Sequence, residues 1–273
     1  MRRILTAATV LALAVLGSAA QSGCHSPTGM DQLGLVWSDE FDGPAGQSPD
    51  SSRWTFDIGT DWGNDQLEYD TSRPVNVSLD GQGNLAITAR EESYLGRDYT
   101  SGRINTRNGL TRTHGRFEAR IKLPVGQGMW PAFWLLGDNI GSVGWPACGE
   151  IDIMEYRGQY PDVVTGALHG PGYSGGNSVG GSFRLSGAAF NDDYHVFAVD
   201  WDANSITWSV DDNAYMTLGP SDLPSGTSWV FNHDFFIILN LAVGGNYVGP
   251  PDATTTFPQT MLVDYVRVYG MIP

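Results

Sequence analysis

From Leu35 onward the chain consists of short segments that alternate apolar and polar residues between turn clusters. No stretch of a dozen residues carries a 3.6-residue period, so helices cannot form the core. The segments recur as "GNLAITAR", "HGRFEARIKLP", "MWPAFWLLG", "GEIDIMEY", "VVTGALHG", "YHVFAVDW", "SITWSVDD", "FFIILNLAVGG" and "MLVDYVRVYG". Phe117, Ala119, Ile121 and Leu123 alternate with polar partners, as in a strand that buries one face. "YHVFAVDW" and "SITWSVDD" read as a hairpin closed around Asp202 to Asn204. Many strands of this length predict an all-β sandwich of two packed antiparallel sheets. No linker or repeat divides residues 35–273, and an all-β chain of this size forms one domain.

One strand departs from the pattern. In "GEIDIMEY" the residues Glu150, Asp152 and Glu155 interleave with Ile151, Ile153 and Met154. Side chains at even separations share a face, so Glu150 and Asp152 point together while Glu155, five residues on, would point the other way. A β-bulge near Met154 absorbs one residue and returns Glu155 to the acidic face. Three clustered carboxylates repel one another and stabilise no core, so the pattern reads as chemistry. Two glutamates leaning together narrow their gap to about 5 Å, the separation used in retaining glycoside cleavage. Aspartate at either end would fall short. One glutamate must be ionised to attack an anomeric carbon, and the other must hold a proton for the leaving oxygen. Asp152 between them raises a neighbour's pKa or shares its proton.

Charge narrows the partner. The formal net charge is −15, and a field of that sign repels nucleic acid and anionic membrane surfaces while suiting a neutral substrate. Arg2 and Arg3, the apolar run "ILTAATVLALAVLG" and the small residues "SAA" form an export leader too short for a membrane span. Cleavage after Ala20 is expected, followed by a flexible leader over 21–34 and a secreted product. The alternative is a lipid anchor on Cys24 in "QSGC", although Gln21 stands where an aliphatic residue is usual. Cys24 and Cys148 are too few for a disulfide scaffold, and Cys148 reads as a small buried thiol.

"GEIDIME" resembles the signature of glycoside hydrolase family 16, and the extra Met154 matches its bulged subgroup. The similarity runs from "WSDEFDG" at Trp37 to "DYVRVYG" at Gly270. It implies a β-jelly-roll with a concave substrate cleft, Glu150 as nucleophile, Glu155 as acid/base and Asp152 as assistant. "WGNDQLEYDT", "YTSGRINT", "GMWPAFWLLG", "GALHGPGYSGG" and "LNLAVGGN" resemble the bacterial endo-β-1,3-glucanases in particular. The implied activity is hydrolysis of laminarin-like or curdlan-like β-glucan through a glycosyl-enzyme intermediate. The alternatives are a mixed-linkage or galactan-type β-glycanase on the same fold, or a non-catalytic β-glucan-binding lectin. Asn64 and Arg103 match positions that bind sugar hydroxyls, and His169 matches an active-site histidine near the acid/base. Trp130, Trp134 and Trp145 are expected to stack on sugars, and Tyr247 stands where relatives often carry Trp. No cofactor is required for catalysis and no protein partner is implied; a monomer is expected.

Two further signals point in opposite directions. "GYSGG" satisfies G-x-S-x-G, but no helical pattern follows Ser174, which excludes a serine-hydrolase elbow. The histidines are scattered without zinc-ligand spacing. Asp264 lies inside an otherwise apolar strand, and the resemblance implies a structural Ca²⁺ held there with backbone oxygens at Glu40 and Gly83.

Overall fold

The computed structural model describes residues 33–271. The expected export leader, its cleavage point and Cys24 lie outside the described residues. The first strands are β1 (Leu33–Asp39), β2 (Thr55–Phe56), β3 (Glu68–Asp70), β4 (Val77–Leu79), β5 (Leu85–Tyr94) and β6 (Arg97–Ser101). There follow β7 (Arg103–Asn105), β8 (Gly115–Lys122), β9 (Met129–Gly137), β10 (Glu150–Tyr156), β11 (Val163–His169) and β12 (Val179–Arg184). The last are β13 (His195–Trp201), β14 (Ile206–Val210), β15 (Asn213–Leu218), β16 (Phe235–Val243) and β17 (Gln259–Met271). The α-helix among the described residues, α1, is the single turn Ile140–Val143.

The strands form two sheets. One runs β15-β14-β13-β8-β17-β5-β6-β3, with β1 added to β17 and β4 to β5; the other runs β12-β11-β10-β9-β16-β7-β2. Their facing sides share one hydrophobic core that takes Phe117, Ala119 and Ile121 from β8 and Ile151, Ile153 and Met154 from β10. The alternation read in β8 therefore does bury one face. The hairpin at Asp202 also forms, where the Asp202 carboxylate accepts the Asn204 and Ser205 amides at 2.7 and 2.9 Å. All nine residues of β16 are buried, because it lies in the middle of its sheet and is covered on both faces. That explains why its run is apolar except at Asn240, whose side chain accepts the Trp134 indole N–H.

Two expectations need adjustment. Leu33 and Gly34 pair with Met271 and Gly270, so the domain begins two residues before the expected boundary at 35. The sheets are also not wholly antiparallel, since β3 and β6 pair in parallel, Glu68 opposite Tyr99.

The β-bulge is present. Asp152 faces Ala167 and Glu155 faces Thr165, so Ile153 and Met154 together oppose Gly166 alone. Both bulged side chains enter the core, and the acids before and after them return to the outer face. The distortion exposes the Asp152 carbonyl, which accepts the indole N–H of Trp208 from the opposite sheet at 2.8 Å. Gly166 makes room for that ring: a Cβ there would meet Trp208 Cδ1 at 2.5 Å. Trp208→Phe keeps most of the packing and removes the donor. It is expected to lose about 1–3 kcal/mol, the penalty of an unpaired buried carbonyl, read from urea denaturation. Unchanged stability would mean that another donor serves the bulge.

Candidate active site

The outer face of the seven-stranded sheet gathers the acids. Glu150, Asp152 and Glu155 sit on β10 beside Leu136, Trp134 and Ala132 of β9. The two glutamates each have an indole partner. The Trp145 indole N–H donates to Glu150 Oε2 at 3.0 Å, and the Trp130 indole N–H donates to Glu155 Oε1 at 3.0 Å. His169, opposite Glu150 on β11, brings Nε2 to 2.9 Å from Asp152 Oδ2 and 3.7 Å from Glu150 Oε1. Its Nδ1 accepts the Gly175 amide at 3.0 Å, which places the proton of the neutral ring on Nε2, facing the acids. The short Asp152 contact is bent away from hydrogen-bond geometry, so the buried Oδ2 has no aligned donor.

Glu150, Asp152 and His169 bring single ligand atoms within 4.8 Å of one another, a grouping that the scattered histidines of the sequence did not suggest. The Gly175 bond nevertheless opposes a metal there, since it commits the Nδ1 lone pair and leaves hydrogen, not a lone pair, on Nε2.

Burial governs the protonation of the acids. Removal from water pushes all three carboxyl groups up to about 8, and repulsion from Asp152 adds to the rise at Glu150 and Glu155. The three cannot ionise together, so the cluster retains protons at neutral pH and titrates as a unit.

Two stacked ladders flank the cluster. On one side the Arg103 guanidinium lies 5.0 Å from the Trp134 ring and 4.8 Å from Trp62, with Nε bonded to Asp57 at 2.9 Å. The ion pair with Asp57 does not take Arg103 away from the site, since its side chain is only 13% exposed and the pair forms part of the ladder. Trp134 donates its indole N–H to Asn240 at 2.8 Å. On the other side Trp130 packs on Tyr247 at 5.1 Å, and Arg157 lies 4.9 Å from Tyr247 and 4.8 Å from Tyr160. The Tyr247 hydroxyl is fixed to Thr165 at 2.9 Å.

The aromatic expectations divide. Trp145 is 48% exposed and offers a free face. Trp130 is 7% exposed, leaving little surface for a sugar, and acts as a donor to Glu155 instead. Asn64 is exposed in a loop with φ of 56°, its carbonyl accepting the Asn246 amide at 2.8 Å beside Tyr247. "GYSGG" is no elbow: a 3₁₀ turn at Gly175–Asn177 follows Ser174.

Several residues escaped the sequence reading. Trp62, Asp57, Asn240 and Trp208 act through partners distant in sequence, and Arg157 joins a near ring, Tyr160, to a distant one, Tyr247. Glu68 and Asp70 are buried behind the Arg103 ladder, where Glu68 accepts the Val243 amide at 2.8 Å and Asp70 the Trp62 indole N–H at 2.9 Å. Burial pushes Glu68 up to about 7 and Asp70 well above the carboxylate range. Their signal was available, because "LEYD" repeats the alternation of acids seen in β10.

Away from this face, Cys148 is a free buried thiol that burial pushes up to about 11. Asp264 lies at a junction on β17, where β1 ends opposite Val266 and β5 begins opposite Val263. Asp264 Oδ2 accepts Arg120 at 2.7 Å, and the Glu40 carboxylate is taken by Arg267 at 2.7 and 3.0 Å. Gly83, with φ of 85°, turns the chain just before β5.

A two-sheet sandwich that carries paired glutamates across a bulged strand belongs to the enzymes that cleave glycosidic bonds. The profile of Glycosyl hydrolases family 16 matches residues 57–266, and the chain belongs to that family. It is 42% identical over 277 aligned residues to a beta-glucanase of Rhodothermus marinus, spanning 97% of this chain and 94% of that one. The catalytic domain of an endo-1,3-beta-glucanase (laminarinase) from Thermotoga petrophila superposes with a TM-score of 0.82 at 45% identity, over 88% of this chain and 99% of that one. The endo-beta-1,3-glucanase of Pyrococcus furiosus gives a TM-score of 0.83 at 43% identity, over 88% and 95% of the two chains.

The raised carboxyls carry a stability consequence. In the fold these groups hold protons that the unfolded chain loses near pH 4, so stability falls as pH rises from about 4 toward 8. Asp152→Asn removes one such group. Its melting temperature is expected to match the wild type near pH 4 and to exceed it at pH 8 by roughly 2–4 °C for each kcal/mol relieved in a domain of this size. Parallel curves for the two proteins would show that Asp152 ionises in the fold without penalty.

Proposed function

We propose that the protein is an exported, retaining endo-β-1,3-glucanase that cuts laminarin-like β-glucan. The observation that carries this reading is the β10 bulge, which turns Glu150 and Glu155 to one face and leaves each with a separate indole donor. Glu150 as carboxylate attacks the anomeric carbon while Glu155 gives its proton to the departing glycosidic oxygen. The C–O bond breaks and a glycosyl ester forms on Glu150. Glu155, now ionised, takes a proton from water, whose oxygen attacks the same carbon and releases Glu150. Retention follows from two inversions.

Asp152 decides which glutamate starts ionised. It is 3% exposed beside Glu150, and its unaligned Oδ2 is free to carry the shared proton toward Glu150. A protonated Asp152 stabilises charge on Glu150 without adding a second anion. The Trp145 indole N–H and His169 Nε2–H favour the same charge.

Glu150→Gln is expected to retain the fold and lower turnover on laminarin by about three or more powers of ten. Azide should restore part of the rate, giving an α-glycosyl azide, and proton NMR of fresh wild-type products should show the β-anomer first. Near-normal turnover by the variant, or early α-anomer from the wild type, would overturn the mechanism.

We also propose a structural Ca²⁺ at Asp264. β1 and β5 meet β17 on either side of Asp264, and Arg120 takes only Oδ2, which leaves Oδ1 for a hard cation together with the backbone oxygens of Glu40 and Gly83 that the resemblance implies. The ion would fasten three strands and take no part in catalysis. Chelation is expected to lower the melting temperature while turnover at 25 °C stays unchanged; a melting temperature indifferent to both chelator and Ca²⁺ would remove the site.

A further inference from the structure

The two ladders beside the acids differ in one respect: the charge of Arg103 is neutralised by Asp57, and that of Arg157 is not. Among the described residues every other arginine makes an ion pair or a side-chain hydrogen bond. Arg157 makes only its two aromatic contacts, at 4.8 and 4.9 Å. Those rings use its stacking surface and leave its five N–H donors free. Holding the guanidinium against two rings also limits its motion, so little entropy is lost when an acceptor arrives. In a chain of net charge −15, an arginine side chain with neither an ion pair nor a hydrogen bond is an exception that needs a reason.

Its position supplies one. Tyr156 is buried in the core, so Arg157 emerges on the same side of β10 as Glu155, two residues away. The charge of Arg157 acts on Glu155, and both belong to a run that passes from Trp130 through Tyr247 to Tyr160. Tyr160 is 50% exposed, so the outer end of the run opens to solvent and admits a substituent on a polymer. A planar fork of donors with no partner matches the two oxygens of a carboxylate.

We propose that Arg157 forms an anion-binding subsite at the Glu155 end of the site, and that it admits β-glucan chains whose sugars carry a carboxylate substituent. The proposal rests on the β-glucanase reading above and extends its substrate class. The Arg103 ladder, already neutralised, serves uncharged sugar. The site is thus charge-selective at one end only.

The test compares laminarin with lightly carboxymethylated curdlan for wild type, Arg157→Gln and Arg157→Lys. The ratio of kcat/KM on the carboxymethylated chain to that on laminarin is expected to fall roughly tenfold in Arg157→Gln, the worth of a charge-assisted hydrogen bond. Arg157→Lys should fall between the two, since it keeps the charge and loses the fork. A ratio unchanged in Arg157→Gln would overturn the proposal. Mapping wild-type products by mass spectrometry needs no variant: carboxymethyl groups are expected on sugars next to the cut bond at low salt and to be depleted there at high salt. Their exclusion from those sugars at low salt would overturn the subsite even if the variants fold poorly. Failure of the wild type on laminarin itself would instead sink the glucanase reading.

Discussion

A single indole N–H from one sheet, donated to a backbone carbonyl of the other, underlies the arrangement of the acids. An extra residue in β10 shifts the ladder register just after Asp152, and a buried carbonyl left unpaired there would oppose the bulge. Trp208 removes that opposition, and Gly166 makes room for it. With the bulge secured, Ile153 and Met154 both enter the core and the three acids all leave it. The catalytic face is therefore coupled to the core through packing. A site assembled on one strand is positioned more rigidly than one assembled on loops.

The partners of the acids follow a common logic. Removal from water raises every carboxyl of the cluster, and the site answers with donors that are themselves held by the scaffold. Trp130 is packed by Tyr247, and His169 is fixed by the Gly175 amide. Glu150 has Trp145 and His169 beside it and Glu155 has Trp130, so the two glutamates experience different surroundings although burial lifts them alike. Distinct roles require that difference. The cluster opposes folding as pH rises, and the shared core of the two sheets outweighs it.

How much of this was legible depends on the distance over which each interaction acts. The β8 alternation and the β10 acids could be read because their periodicity is local to a few residues. The bulge could be inferred because the parity of Glu150, Asp152 and Glu155 requires it. Strands such as β2, β3 and β7 contain two or three residues, too few to show a period, and the parallel β3–β6 pairing leaves no local trace. Trp208 is 56 residues from its acceptor and Arg103 is 46 from Asp57, so neither pairing is written near either residue. The family resemblance pointed to Arg103 and His169, but the tautomer of His169 depends on the Gly175 amide, in a loop whose local sequence shows no link to that ring.

The two arginine ladders show why composition alone misjudges the site. An average over the chain gives a strongly acidic protein suited to neutral substrate, and at Arg103 that description holds because Asp57 cancels the charge. It fails at Arg157, where aromatic rings take the place of a carboxylate. An aromatic quadrupole attracts a cation without neutralising it, so the charge remains available to a third party. Local charge at a binding face is set by which partners an arginine has, and two residues of the same type a few strands apart present opposite prospects to a ligand. The net charge governs approach from a distance, where screening leaves only the sum of the field. Contact selectivity is decided within hydrogen-bond reach, by the one guanidinium among the described residues whose donors are unspent.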